Sequence, residues 1–194
     1  QSPLPPLIKA GLLHVQFETI HPFLDGNGRV GRLLVTLFLC ANGVLRNPLL
    51  YLSLYLKTRR ADYYRLLQEV RENGAWEAWL EFFLDGVAET ANQAFEAAVR
   101  IADLFAKDRE RIATGSDRAG SALRIHDLLQ QHPFATANDL VTRTGLTAPT
   151  VNAALADLER LGVVGEITGR RRGRVFSYRA YLDILGEGTA PLRG

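Results

Sequence analysis

Methionine is missing altogether from these 194 residues, and cysteine occurs once, at Cys40. A single thiol excludes an intrachain disulfide framework and a cysteine-rich zinc site. With Gln1-Ser2-Pro3 in front and no Met, the chain reads as a processed product or a fragment. Excess charge is also scarce: 23 basic residues against 21 acidic ones give a net of +2. That is too mild to argue nucleic-acid binding from bulk charge. No basic segment leads into an apolar run and a small-residue cleavage site, so this start is not expected to be a signal peptide. The greasiest stretch, residues 33–56, is broken by Asn42, Gly43, Arg46, Asn47 and Pro48. A bilayer span needs about 20 consecutive apolar residues. This stretch therefore reads as two core helices with a turn between them, and a soluble, cytoplasmic protein without a membrane partner is expected.

What remains is ordinary globular material, 47% hydrophobic and 23% charged. The length suits one large domain, or a medium one plus a small one. Almost everything before residue 113 has helical periodicity. Apolar residues at 7, 8, 12, 15 and 20 predict a first helix over 7–20, stopped ahead of Pro22. A second is expected from about Gly28 to Cys40, ended by Asn42-Gly43. A third should start at the cap-and-proline pair Asn47-Pro48, and a fourth covers 61–73 up to Gly74. A long helical region over 76–112 follows, with Phe95, Ala98, Ala102 and Phe105 along one face. Residues 113–120, small and polar with two glycines, read as a linker. Beyond it three short helices (123–131, 137–143 and 147–161) precede two β-like runs, 163–168 and 175–178. Helix, helix-turn-helix and hairpin is the order of a winged helix. The expected fold class is mainly α: a helical core over 1–112, a small α/β winged helix over 121–185, and a flexible tail over 186–194.

The chemistry is concentrated in His21-Pro22-Phe23-Leu24-Asp25-Gly26-Asn27-Gly28-Arg29-Val30-Gly31-Arg32. Glycines in a loop let the backbone approach a ligand closely. A loop that opens into a helix places free N–H groups and the positive dipole end toward an anion. Arg29 and Arg32, three apart, share one face of the first turn. Asp25 is a hard oxygen ligand of the kind Mg2+ takes beside substrate phosphates. His21 is a base that titrates near neutrality. One base, one metal ligand, an anion cradle and two guanidiniums are the equipment of phosphoryl or nucleotidyl transfer.

Three other patterns overlap this segment and fail on context. Gly26-Asn27-Gly28-Arg29-Val30-Gly31 spells G-x-G-x-x-G, but a helix and not a strand precedes it, and Tyr51 stands where an acidic residue belongs. Asp25-Gly26-Asn27 mimics an EF-hand opening, but Arg29, Val30 and Thr36 occupy its ligand, glycine and glutamate positions. His14 and His21, seven apart, lack zinc-ligand spacing.

The segment resembles the Fic motif H-P-F-x-[DE]-G-N-G-R-x-x-R and satisfies all nine of its fixed positions. The resemblance extends over roughly residues 4–112, through Leu50-Tyr51-Leu52-Ser53, Tyr63-Tyr64, Trp76 and Trp79, and the winged helix behind it resembles a common bacterial Fic arrangement. It implies a protein adenylyltransferase using ATP and Mg2+. His21 would take the proton of a target hydroxyl, whose oxygen attacks the α-phosphate while pyrophosphate leaves. Asp25 would hold Mg2+. The backbone N–H groups of Gly26 and Gly28, with the Asn27 side chain, would cradle the α-phosphate, and Arg29 and Arg32 would grip the outer phosphates. Phe23 would anchor the loop in the helical core. The partners implied are ATP and a Ser-, Thr- or Tyr-bearing protein, the enzyme itself included, with a homodimer among the expectations. Tyr51 and Tyr55 could border the nucleobase, although their helical spacing favours core packing. Gly28 argues against the kinase branch of the family, which carries Lys there; phosphocholine transfer and AMP removal use much the same core.

No Ser or Thr is followed by the [ST]-x-x-x-E-[GN] pattern of the family's inhibitory helix. Only 20 residues precede His21, too few for the family's target-holding β-hairpin, so the chain is expected to be the C-terminal part of a longer protein. Charge is balanced over residues 1–116, at thirteen of each sign, and the surplus lies in 117–194, at ten basic against eight acidic. Arg170, Arg171, Arg172 and Arg174 make a basic wing, and Thr147, Thr150 and Asn152 open a recognition-type helix. These are the candidate contacts to DNA or to a protein partner. A DNA-binding regulator with a nucleotide-sensing core and an inactive binding scaffold are the competing readings.

Overall fold

The structure, a computed structural model, describes residues 4–46 and 51–187. It divides into two compact units, residues 1–96 and 97–194. The chain is mainly α, with one small three-stranded sheet in the second unit.

In the first unit, α1 (Pro6–Ile20) begins on a first-turn proline, whose missing N–H costs nothing there. It ends where His21 turns into the left-handed region (φ 49°, ψ 56°) and donates its N–H to the Phe17 carbonyl at 3.0 Å. Next, α2 (Asn27–Ala41) stops at Asn42 and the positive-φ Gly43, as its sequence predicts. The helix expected at Asn47-Pro48 falls outside the described residues; α3 is Leu52–Thr58. It leads into α4 (Arg60–Asn73), closed by Gly74 at φ 65°. Finally α5 (Trp76–Gly115) runs three residues past the end expected for it. The core of this unit is built from Ala10 and Val15 of α1, Val35 and Leu39 of α2, Leu52, Tyr55 and Leu56 of α3, Leu66 and Leu67 of α4, and Trp79 and Phe83 of α5. Trp79 is fully buried, and its indole N–H donates to the Gly11 carbonyl at 3.0 Å. At Gly11 a Cβ would stand 3.0 Å from Leu80 and 3.1 Å from Phe83, so the glycine lets α5 close on α1. On α5 the stripe Phe95, Ala98, Ala102 is exposed, and only Phe105 packs, against the core of the second unit.

In the second unit, α6 (Ala119–Gln131), α7 (Ala137–Thr144) and α8 (Ala148–Arg160) surround a core of Ile112, Ile125, Leu129, Leu140, Val151, Leu155, Leu158 and Phe176. Two strands were expected; there are three, in the order β1-β3-β2, all antiparallel. The additional strand, β1 (Phe134–Thr136), pairs Ala135 with Phe176 of β3 (Val175–Ser177), while β2 (Gly165–Glu166) pairs Glu166 with the same Phe176. Three residues between Pro133 and a helix are too few to show a period of two, which is why the sequence hides β1. Thr136 then caps α7 in a reciprocal box with Asp139, whose carboxyl is held below its usual range by the Thr136 hydroxyl and N–H. A polar knot lies inside this unit. Tyr178 donates to Asp108 at 2.7 Å and lies 3.2 Å from His126, and Arg111 pairs with Asp108 at 2.7 Å. A last helix, α9 (Arg179–Gly186), occupies residues expected to finish the domain and begin the tail. Among the described residues no helix is long and apolar enough to cross a membrane.

Candidate active site

The segment 21–32 is a short exposed loop between α1 and α2, closed on itself by one side chain. Asn27 is 2% exposed, and both ends of its amide are engaged by one residue. Oδ1 accepts the Phe23 N–H at 2.9 Å, and Nδ2 donates to the Phe23 carbonyl at 2.5 Å. This staple fixes the loop, and Phe23 does so through its backbone: the ring expected in the helical core is 50% exposed, touching Phe17 at 6.3 Å between centroids. The correction has a physical reason. The loop is too short to drive a ring inward while both its backbone groups bond to Asn27. We expect Asn27→Ala to lower the stability of this unit by about 1–2 kcal/mol, two hydrogen bonds at roughly 1 kcal/mol each, in denaturant unfolding followed by tryptophan fluorescence.

The α2 N-terminus behind the staple is open. Gly26 adopts φ 83°, a conformation that suits glycine, and no side chain caps the helix. The Arg29 and Val30 N–H groups both close onto the Gly26 carbonyl, so the N–H groups of Asn27 and Gly28 head the helix. Two guanidiniums lie against this end. Arg29 pairs with Asp25 at 3.3 Å; with side chains 76% and 92% exposed, this pair contributes little stability and can open to a ligand. Arg32 is half-buried and its Nε donates to Ser53 Oγ on α3 at 3.1 Å. A Cβ on Gly28 would stand 3.1 Å from Arg32 Nη1, so the absence of a side chain there leaves the arginine its place.

His21 stands across the loop, its side chain 60% exposed, and it is the single non-glycine residue with positive φ among those described. Such a conformation is uncommon away from glycine, and here it ends α1 and turns the chain into the loop. Its Nδ1 lies 3.9 Å from Glu18 Oε2. Asp25 is one exposed carboxylate without other metal-ligating partners: the described residues hold no cluster of three or more His, Cys, Asp or Glu. That donor set fits an ion carried in on nucleotide phosphates and not a resident, fully caged one.

Of the two tyrosines proposed near a nucleobase, Tyr55 is 5% exposed in the core, under the Arg59 guanidinium at 4.2 Å. Tyr51 is 49% exposed at the start of α3. Two site neighbours escaped the sequence reading, Ser53 and Glu18. For Glu18 the signal was available: a carboxylate in register with His14 on the buried face of α1.

In the second unit, Arg170, Arg171 and Arg172 are exposed in the wing. Arg174 is tied down, paired with Glu159 at 3.3 Å and lying 4.7 Å over the Phe176 ring. At the start of α8, the Thr147 and Thr150 hydroxyls bond each other at 2.8 Å, and Asn152 bonds back to the Ala148 carbonyl at 2.9 Å.

Comparison with known proteins agrees with this anatomy. Residues 1–39 match the model of the Fic/DOC family, and residues 120–164 match a winged helix-turn-helix DNA-binding model. A probable protein adenylyltransferase of Aquifex aeolicus is 51% identical over 49 residues, which is 23% of this chain and 15% of that protein. A Fido domain-containing protein of Dictyostelium discoideum is 54% identical over 39 residues, 20% of this chain and 27% of that one. A solved Fic family protein from Desulfovibrio desulfuricans G20 aligns with a TM-score of 0.47 and 24% identity, over 92% of this chain and half of that one. The chain thus spans a small part of the curated relatives it matches. Its opening segment, residues 1–39, is similar to the Fic/DOC family, and its second unit carries the similarity to winged helix-turn-helix domains.

Proposed function

We propose that this chain carries the catalytic loop of a protein adenylyltransferase, which moves AMP from ATP to a Ser, Thr or Tyr hydroxyl of a protein. The observation that carries the reading is a short loop that leaves α1 at His21, in its left-handed turn, and opens into the uncapped N-terminus of α2. The N–H groups of Asn27 and Gly28 point where a phosphate gathers charge, and the helix dipole favours that charge. Arg32, braced by Ser53, holds the outer phosphates; Arg29 swings to them from Asp25. Asp25 is the residue to hold Mg2+, which supplies charge neutralisation when bound. Asn27, whose side chain was expected on the phosphate but is spent on Phe23, serves the cradle by keeping its shape and through its own N–H. His21 takes the hydroxyl proton, the hydroxyl oxygen bonds to the α-phosphorus, and the bond from that phosphorus to the bridging oxygen breaks, so pyrophosphate leaves with both electrons. We assign this chemistry to a core over residues 1–112, with the winged helix over 121–185 as its partner domain. The match to a probable protein adenylyltransferase over 49 residues supports the donor. Incubation with α-labelled ATP and Mg2+, with candidate proteins present, is expected to leave label on protein; release of label only as free AMP or ADP overturns the reading.

A second reading, DNA binding by the winged helix, is supported by the family match over 120–164 and by the exposed Arg170, Arg171 and Arg172. Duplex DNA is expected to shift on a gel at low salt. Replacing those three arginines by alanine is expected to flatten the log–log salt dependence by roughly 0.9 per lost phosphate contact. No binding at low salt removes this reading.

A further inference from the structure

A carboxylate without an obvious occupation lies beneath the loop. Glu18 is 6% exposed, and its Oε1 is buried with no hydrogen-bond partner among the described residues. Buried carboxylates are costly unless paired, so one in this state asks for a role. The slot that receives it is shaped by a glycine on the facing helix. A Cβ at Gly31 would stand 2.7 Å from Glu18 Oε1, 3.1 Å from the Phe17 ring and 3.3 Å from His14 Cε1. On the open side, Glu18 Oε2 is 3.9 Å from His21 Nδ1, and His21 is its single ion-pair partner among the described residues. The other groups around it are engaged elsewhere. His14 on α1 bonds Tyr63 of α4 at 2.9 Å. Arg71 of α4 donates to the Glu18 backbone carbonyl at 2.8 Å and to Thr19, not to the carboxylate. Arg32 of α2 is bonded to Ser53. The Tyr63 hydroxyl is pushed well above its ordinary range, by burial first and by the nearby Glu18 charge second.

We propose that Glu18 is the positioning residue of His21: its carboxylate takes the Nδ1–H of the imidazole, leaves Nε2 as the base, and stabilises the imidazolium formed when Nε2 receives the target's proton. The proton stays on His21 until solvent takes it, and none passes to Glu18. The inference rests on the adenylyltransferase reading for its chemistry, but the pairing itself does not. A base oriented by a third group is the general pattern of such sites, and a separation of 3.9 Å before substrate arrives closes readily in the reacting complex. The left-handed backbone at His21 belongs to the same arrangement, since with it the Nδ1 atom lies 3.9 Å from a carboxylate three residues back.

The test uses the whole chain with 15N-labelled imidazoles, the His21 signals being assigned by their loss in His21→Asn. In the wild type His21 is expected to be the Nδ1–H tautomer, and Glu18→Gln is expected to lower its titration midpoint. The Nε2–H tautomer, or an unmoved midpoint, overturns the pairing. AMP transfer followed against pH on the same samples is expected to fall roughly 10- to 100-fold at neutral pH in Glu18→Gln, with its acidic limb moving down together with the imidazole midpoint. A rate lowered without movement of the limb makes Glu18 a packing residue and overturns the proposal. If Glu18→Gln does not fold, Glu18→Asp carries the same comparison, keeping the charge and retracting it by one methylene. A wild type that shows the tautomer and the titration but transfers no AMP leaves the pairing standing and removes the adenylyltransferase reading instead.

Discussion

Replacing His21 with alanine is expected to cut AMP transfer by at least about a hundredfold, the lower end of what a positioned general base supplies. The affinity for ATP should stay close to the wild-type value. The two effects separate because the structure gives them to different elements. The phosphate grip is made by the N-terminus of α2, Arg29 and Arg32, and none of these uses the imidazole as a support. The fold leans on the ring only through the 3.9 Å approach to Glu18. His21 is exposed, and the bond that ends α1 comes from its backbone N–H to the Phe17 carbonyl, which alanine keeps. Calorimetry with ATP and Mg2+ measures the affinity, and incorporation of label from α-labelled ATP measures the transfer. Transfer that survives in His21→Ala rules His21 out as the base. A parallel loss of affinity and rate would mean that the imidazole binds phosphate instead.

The parts of this site that could be read in advance are those whose residue types have few other uses. Two glycines, an aspartate, two arginines and a histidine in twelve residues leave little but an anion loop opening a helix, and α2 does start at Asn27 behind a left-handed Gly26. The winged-helix order was equally plain, since Gly145 and Gly162 stop α7 and α8 in left-handed turns. What stayed hidden depends on pairings across the chain. Nothing in the sequence says that the amide of Asn27 spends both its ends on Phe23, so an aromatic ring looked like the anchor when the backbone was. Tyr51 and Tyr55 are four apart and looked equivalent, yet one precedes α3 and is half exposed while the other is buried within it. Glu18 is the instructive miss. A charge in register with His14 on a buried helix face is a local inconsistency, and such inconsistencies gather at functional sites.

His14, one turn before Glu18, leads to the second large effect: acidification from pH 7 to 5 should cost the first unit about 2 kcal/mol through this one residue. The ring is fully buried, stacked on Trp79 at 5.8 Å and 9° and bonded through Nε2 to the Tyr63 hydroxyl. Burial drives its pKa down to about 4, and the Arg32 charge pushes the same way; the Gly31 backbone, close to Nδ1 but short of a full hydrogen bond, works against them. The sign follows from the two states. Unfolded, His14 titrates near its ordinary 6.5, so between that pH and about 4 the unfolded chain holds a proton that the folded one refuses. Stability is therefore complete above pH 6.5 and falls as pH is lowered through that window. Both tryptophans, Trp76 and Trp79, lie in the first unit, so their fluorescence in a denaturant series isolates it from the winged helix, where the buried His126, also shifted downward, acts in the same direction. His14→Phe removes the titration while keeping an aromatic ring on Trp79. It lowers the baseline by about 1–3 kcal/mol, because the Tyr63 hydroxyl loses its partner. Its stability should then change much less between pH 7 and 5 than that of the wild type, and equal slopes in the two proteins would mean that His14 is already charged in the fold.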